Sequence, residues 1–199
     1  MSDGSEDRPV YHDGMRDLQR RFGSEALADR LARHRRRTAF TDEDRAFIEG
    51  LEFFFLATAD ADGFPDCSYK GGAPGYMRAT GPAELAFPSL DGNGMYRSLG
   101  NIAVNPQIGL LFISFETPRR LRVNGRARIV WDDPLMAEHP GAELMVLVDV
   151  EAIFTNCPRY IHREGGRSEY LDDGRTPPKT PDWKTWPEFR DVLPKKDGS

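Results

Sequence analysis

Five polar side chains in this 199-residue chain have the types and spacing that gather around a phosphate group. Ser68 and Lys70 lie two apart in Pro65-Asp66-Cys67-Ser68-Tyr69-Lys70-Gly71-Gly72, and in an extended segment that spacing turns both to one face. Arg97 and Ser98 open a short helical segment, where free N–H groups and the helix dipole favour an anion. Arg120 projects from the polar face of a later strand, and Phe87 and Tyr69 could flank a planar ring. Cations and hydroxyls converging in this way suit a dianionic phosphate. Each residue also has an ordinary reading. Ser98 could simply cap its helix, Lys70 and Arg120 could be solvated cations, and Gly71, Gly72 and Gly75 could only permit turns. Spacing alone therefore points to a phosphate-bearing ligand without identifying it.

Other chemistry is thinly represented. Of the four histidines, His12 and His34 fall in the N-terminal part, His139 in a Pro-Gly loop, and only His162 near the candidate site. There is no dedicated acid–base pair, so no catalytic residue is assigned and no metal site is expected. The two cysteines, Cys67 and Cys157, occur without an export signal and read as reduced thiols. Cys67 alternates with Ser68, so it is expected to point into the interior and be inert.

These residues need a scaffold of short strands. Phe53 to Thr58 is aromatic and apolar and reads as a buried strand. Asp62-Gly63 signals a hairpin, and Pro65 begins the next strand, where its missing N–H does least harm. Further strands are expected at Tyr76 to Arg78, Leu85 to Phe87, Ile108 to Phe115, Arg119 to Val130 and Leu144 to Phe154. Asn124-Gly125 signals a turn or, inside a strand, a bulge. Ser98 to Val104 is a one- to two-turn helix ended by Asn105-Pro106. Upstream, Leu18, Phe22, Ala26, Leu27 and Leu31 recur at helical spacing, with a break and re-cap at Gly23-Ser24. Thr41 and Asp44 frame a capping box for a helix over Asp42 to Gly50, expected to lie against the first strand. The fold class is mainly β (α+β): a split, antiparallel, Greek-key-like barrel with N-terminal helices and a C-terminal arm.

Composition bounds the function. A net charge of −5 argues against nucleic acid as a partner. The basic run Arg30, Arg33, Arg35, Arg36 and Arg37 reads better as cations at a helix C-terminus than as a binding patch. No apolar run reaches the length of about 18 residues that spans a membrane, and the acidic N-terminus is not a signal peptide, so a cytoplasmic protein is expected. From Gly165 onward the chain is charged and proline-rich, yet Trp183, Trp186 and Phe189 argue for a packed arm.

From about Phe53 to Val130 the chain resembles the pyridoxamine 5'-phosphate oxidase-like FMN-binding split-barrel family. The features that carry this are Asp62-Gly63-x-Pro65, Ser68-x-Lys70-Gly71-Gly72, Asp91-Gly92-Asn93, Arg97-Ser98-Leu99-x-Asn101-Ile102, Asn105-Pro106-x-x-Gly109-Leu110-Leu111-Phe112 and Leu121 to Ala127. Asn156-Cys157-Pro158-Arg159-Tyr160-Ile161-His162 resembles the branch of general stress and probable FMN-dependent proteins. The resemblance implies FMN as cofactor, an oxidoreductase working on a small-molecule substrate or nicotinamide reductant, and a homodimer with flavin at its interface. It implies an N-terminal helical arm over 1–40, an FMN-binding domain over 41–164 and a C-terminal extended arm over 165–199. Arg97 and Ser98 would hold the phosphate. Ser68, Tyr69, Lys70 and Gly71 would line the phosphate, ribityl chain or ring edge, and Phe87, Pro88 and Ser89 would contact the flavin. Asn93 and Asn101 belong to the matched motifs. Arg120 stands where the family carries a glutamine near the ring, and Cys157 and Arg159 would reach the partner's flavin. Ser98 replaces a second phosphate cation of the family, and the oxidase's C-terminal Trp and Arg motif is not evident, so the resemblance does not extend to that enzyme's substrate. The same fold also resembles modules that bind haem or a deazaflavin without turnover.

Overall fold

The structure, a computed structural model, describes residues 9–163, 165–171, 174 and 178–194. The chain divides into two compact units, Arg37–Ser168 and a second made of Met1–Arg36 with Glu169–Ser199.

The larger unit is built on an antiparallel sheet. Its strands are β2 (Phe53–Ala59), β3 (Pro65–Gly71), β4 (Arg78–Gly81), β5 (Glu84–Leu90), β6 (Gln107–Ser114), β7 (Arg119–Val130) and β8 (Ala142–Asn156), in the order β3-β2-β6-β7-β8-β5-β4. The two-residue β1 (Arg36–Arg37) completes eight strands. The sheet is not closed, and β3 and β4 are its ends. It is nevertheless strongly curled. Three strands separate β2 from β5, which in a flat sheet would mean roughly 19 Å. Yet the rings of Phe54 and Phe87 lie 5.1 Å apart, and Phe54 and Phe112 lie 5.7 Å apart. Burial of these rings with Leu56, Leu85, Leu121 and Val123 supplies one continuous core inside the curl.

Local sequence explains the curl. Phe54, Leu56 and Thr58 are buried while Phe53, Phe55 and Ala57 are not, so β2 alternates even though its sequence is apolar on both faces. The β7–β8 register shifts at Asn124/Gly125, a bulge that bends the pair. Of the two readings of Asn124-Gly125, the bulge is the one realised. A Cβ on Gly125 would sit 2.3 Å from the carbonyl oxygen of Asp149, so only glycine permits this approach.

Two helices close the unit. In α3 (Asp42–Glu49) the Thr41 side chain accepts from the Asp44 amide at 3.2 Å, and the Asp44 carboxylate accepts from the Thr41 amide at 3.0 Å, the expected capping box. Hydrogen bonds tie this helix to β4 rather than to the first long strand. Arg45 donates to the carbonyls of Ala79 and Gly81 at 2.9 and 2.7 Å, and Glu49 accepts from the Ala79 amide at 3.0 Å. The β4 strand begins at Arg78, and Tyr76 and Met77 precede it in a bend instead of forming a strand, because both side chains turn into the core. The second helix, α4 (Arg97–Val104), follows β5.

In the smaller unit, α1 (Asp13–Arg21) and α2 (Glu25–Arg35) are divided at Phe22–Ser24, as the spacing indicates, although the Ser24 hydroxyl makes no capping bond. A short helix, α5 (Pro187–Arg190), buries Phe189. Its ring meets His34 and Trp183 edge-on, and Arg35 stacks over Trp186 at 4.6 Å. Arg30 pairs with both carboxylate oxygens of Asp191 at 2.9 and 3.0 Å. Part of the basic run is thus engaged within its own unit.

Candidate functional site

A cleft opens in the larger unit between β3, the end of β5 and the start of α4. One cavity of about 380 Å³ is bordered by Ser68, Lys70, Ser89, Asn93, Arg97 and Ser98. It adjoins a second of about 220 Å³ walled by Leu56, Tyr69, Gly71, Phe87, Pro88 and Leu99. Lys70, Ser89 and Leu99 border both, so the two form one continuous cleft. Its size is that of a small-molecule or cofactor site.

The register of β2 with β3 builds one wall. Asp66, Ser68 and Lys70 pair with Thr58, Leu56 and Phe54, all three of which are buried, so these β3 side chains share the inner face. The Tyr69 ring lies over Gly71, 2.8 Å from where a Cβ would stand. The opposite wall is the start of α4. Tyr96 enters the helix in the left-handed conformation, φ 47°, and no side chain caps it, so Ser98 is not the cap. Ser98 is buried in the first turn, where the leading N–H groups have no partner inside the helix. The loop between is shaped by Asn93, whose side-chain oxygen accepts from the Met95 amide at 3.0 Å. Tyr96 donates to Glu143 at 3.2 Å.

Electrostatics inside the cleft are mixed. Burial pushes the Lys70 ammonium below its ordinary value, opposed by the carboxylate of Asp66. Arg97 contacts that same carboxylate, with Nε and Nη2 each 3.2 Å from Oδ1. The Tyr76 hydroxyl donates to the Pro88 carbonyl at 3.0 Å, and burial raises its pKa to about 12, so it stays neutral. Lys70, Arg97, three serines, the start of α4 and the carboxylate of Asp66 border the first cavity. Leu56, Phe87 and Leu99 border the second together with Lys70, Ser89 and Asp91. Cations and hydroxyls gathered in this way suit an oxyanion.

Other residues singled out in the sequence lie elsewhere. Asn101 does not border the cleft; its amide donates to the buried Thr58 hydroxyl at 3.0 Å, tying α4 to β2. Arg120 pairs with Asn156 across β7 and β8, and its Nε and the Asn156 Oδ1 are both buried without a partner among the described residues. Cys157 is a half-buried free thiol. The Arg159 guanidinium lies 5.6 Å over the Tyr160 ring, with Nε buried and without a partner among the described residues. His162 accepts from the Ser168 amide at 3.2 Å. Among the described residues no cluster of His, Cys, Asp and Glu could hold a metal ion.

One expectation is corrected. Cys67 is exposed, not directed into the interior. It pairs with exposed Ala57, which puts it with Tyr69 on the outer face of the sheet's edge strand. Sequence reasoning also passed over Asp66, Tyr76 and Leu99. For Asp66 the signal was present, because it has the same parity as Ser68 and Lys70 on one strand.

No protein of curated function matches the sequence. Among solved structures, similarity extends to HupZ of Group A Streptococcus, 21% identical over 65% of this chain and 98% of the other, TM-score 0.48. An FMN-binding protein of Syntrophomonas wolfei is 8% identical over 72% and 95%, TM-score 0.45. The haem storage protein HutZ of Vibrio cholerae is 20% identical over 66% and 94%, TM-score 0.40. The family model described as pyridoxamine 5'-phosphate oxidase matches residues 40–155, more than half of the chain. Those residues contain β2 to β7, all but the last residue of β8, both helices and the whole cleft, and the chain belongs to the pyridoxamine 5'-phosphate oxidase family.

Proposed function

We propose that the cleft binds FMN and that the protein is an FMN-dependent oxidoreductase. The observation that supports this most is the convergence of Ser68, Lys70, Ser89, Arg97 and Ser98 around one cavity, beside a second in which Leu56, Phe87 and Leu99 stand among polar groups. Arg97, Ser98 and Lys70 would hold the phosphate, and Phe87 and Pro88 would wall the ring. Bound FMN would supply the hydride and electron chemistry, and the protein's part is to hold and orient it. Tyr76, which borders the second cavity, is kept neutral and hydrogen-bonded, so it shapes the wall without exchanging a proton near neutral pH.

The homodimer reading is supported by the outer face of β2, β3 and the end of β6. Phe53 stacks on Tyr69 at 5.3 Å and on Phe115 at 6.3 Å, and Phe55 meets both Phe53 and Tyr69 edge-on. Tyr69 is 61% exposed and Phe115 42% exposed. A contiguous aromatic face of this kind is characteristic of an interface.

The absorbance spectrum of the purified protein tests the cofactor. A flavin spectrum is expected, with FMN released on denaturation. Anaerobic bleaching by NADH or NADPH would establish the enzyme. FMN that no nicotinamide reduces would instead support a flavin-binding protein without turnover. A haem or deazaflavin spectrum would reject the FMN reading.

A further inference from the structure

Asp66 has no place in the phosphate site as proposed, yet it stands in the middle of it. Its Oδ1 lies 3.2 Å from both Nε and Nη2 of Arg97, so one carboxylate oxygen takes up a whole donor edge of that guanidinium. The Asp66 side chain is 19% exposed and that of Arg97 is 63% exposed. A pair this open to water contributes little to folding, so stability does not account for it. Asp66, Ser68 and Lys70 share one strand face, and Asp66 and Lys70 border the same cavity as Arg97. Two cations and one carboxylate leave a single net positive charge there. A phosphate monoester carries about −1.5 to −2 near neutral pH.

We propose that Asp66 is a specificity-determining residue: its carboxylate occupies the Arg97 edge that a ligand's phosphate would take, and it thereby sets how strongly the cleft favours phosphorylated over unphosphorylated ligands. This rests on the phosphate site proposed above. A guanidinium edge accepts one planar or tetrahedral oxyanion at a time. A phosphate that takes this same edge displaces Asp66, and the free energy of the internal pair is then subtracted from its affinity. The same carboxylate partly neutralises Lys70. Removing the charge of Asp66 strengthens phosphate binding and leaves the ring contacts unchanged.

The test is the affinity of FMN and of riboflavin, read from quenching of flavin fluorescence, in wild type, Asp66→Asn, Asp66→Glu and Arg97→Ala. In Asp66→Asn, FMN is expected to bind roughly three- to tenfold tighter and riboflavin to change less than about twofold. Asp66→Glu, which keeps the charge, stays near wild type. The gain disappears when Asp66→Asn is combined with Arg97→Ala. FMN binding that is unchanged or weaker in Asp66→Asn would overturn the proposal, and weaker binding would make Asp66 a support for Arg97. A second readout does not depend on flavin: inorganic phosphate should raise the thermal midpoint more in Asp66→Asn than in wild type. Should wild type bind neither flavin, the FMN reading fails. An equal phosphate shift in the two proteins would then separately overturn the role of Asp66.

Discussion

The Asn101 amide donates to the Thr58 hydroxyl at 3.0 Å, and this bond joins the helix that opens the cleft to the strand that forms its floor. Thr58 is buried, so the hydroxyl has no water to replace a lost donor. Asn101→Leu is expected to cost about 1–3 kcal/mol by leaving that group unpaired. Because α4 carries Arg97 and Ser98, FMN affinity should fall as well, although Asn101 does not touch the cleft. Chemical denaturation and FMN titration on the same variant check both expectations. A variant with full FMN affinity would show that α4 is held by packing alone.

Gly125 and Gly109 lie on neighbouring strands and should respond differently to alanine. A Cβ at Gly125 meets the Asp149 carbonyl oxygen at 2.3 Å and Val148 Cγ1 at 3.0 Å. At Gly109 the nearest atom is the Asn124 side-chain nitrogen at 3.4 Å. Gly125→Ala is expected to destabilise by about 1–3 kcal/mol or more, since backbone must move. Gly109→Ala should cost clearly less. Equal midpoints in urea would contradict the bulge geometry.

The capping pair of Thr41 and Asp44 gives a pH-dependent contribution. Burial acts to raise the Asp44 carboxyl, but Arg37 and the amide and hydroxyl of Thr41 outweigh it and hold it below the usual value. A carboxyl depressed in the folded state stabilises above its unfolded pKa, and that contribution is lost as pH falls through the folded pKa. Asp44→Ala should cost about 1–3 kcal/mol near neutral pH, from the lost cap and the lost ion pair with Arg37, which keeps its bonds to Ala39 and Thr155. The difference from wild type should shrink as acid protonates Asp44. Denaturation midpoints across the acid range measure this.

With the phosphate site proposed above, Lys70 is expected to set an alkaline limit on phosphate binding. Burial lowers its pKa, so the free protein loses this charge earlier than an exposed lysine would. Bound phosphate favours the charged form and raises that value. Affinity is therefore full below the free-state pKa and falls as pH rises from it toward the bound-state pKa. FMN affinity should decline on the alkaline side in wild type, and the decline should be absent in Lys70→Met, which binds more weakly throughout. Parallel pH profiles for the two proteins would exclude Lys70 from the phosphate site.

The outer aromatic face tests the assembly. Phe53→Glu places a charge among Tyr69, Phe55 and Phe115 and should give monomers in sedimentation while the core strands remain folded. FMN should be lost with the dimer if the partner completes the site. A monomeric wild type would contradict the interface.

Much of the fold was legible because it is written locally. Asp62-Gly63, Asn105-Pro106 and the pair Thr41 and Asp44 are turn and cap signals whose consequences do not depend on distant residues, and each marks a boundary in the structure. The face of β3 was harder. Ser68 and Lys70 were placed together by parity, but which parity faced inward depended on pairing with β2, whose apolar sequence gives no such signal. For that reason Cys67 lies on the outer face against expectation, whereas the parity of Asp66 with Ser68 and Lys70 is readable from the strand alone. The bends of Tyr76 and Met77 were equally hidden, since their burial is decided by core contacts across the curled sheet. The ion pair of Arg97 with Asp66 joins residues 31 apart in sequence and could be seen only once the strand and helix were in place.

The most direct measurement is the flavin content of the double variant Arg97→Ala with Ser98→Ala, purified beside wild type and sized by sedimentation. Wild type should carry FMN, and the variant should lose it while keeping a folded dimer. Retention of one FMN per subunit in the variant would contradict the assignment of the phosphate to the start of α4.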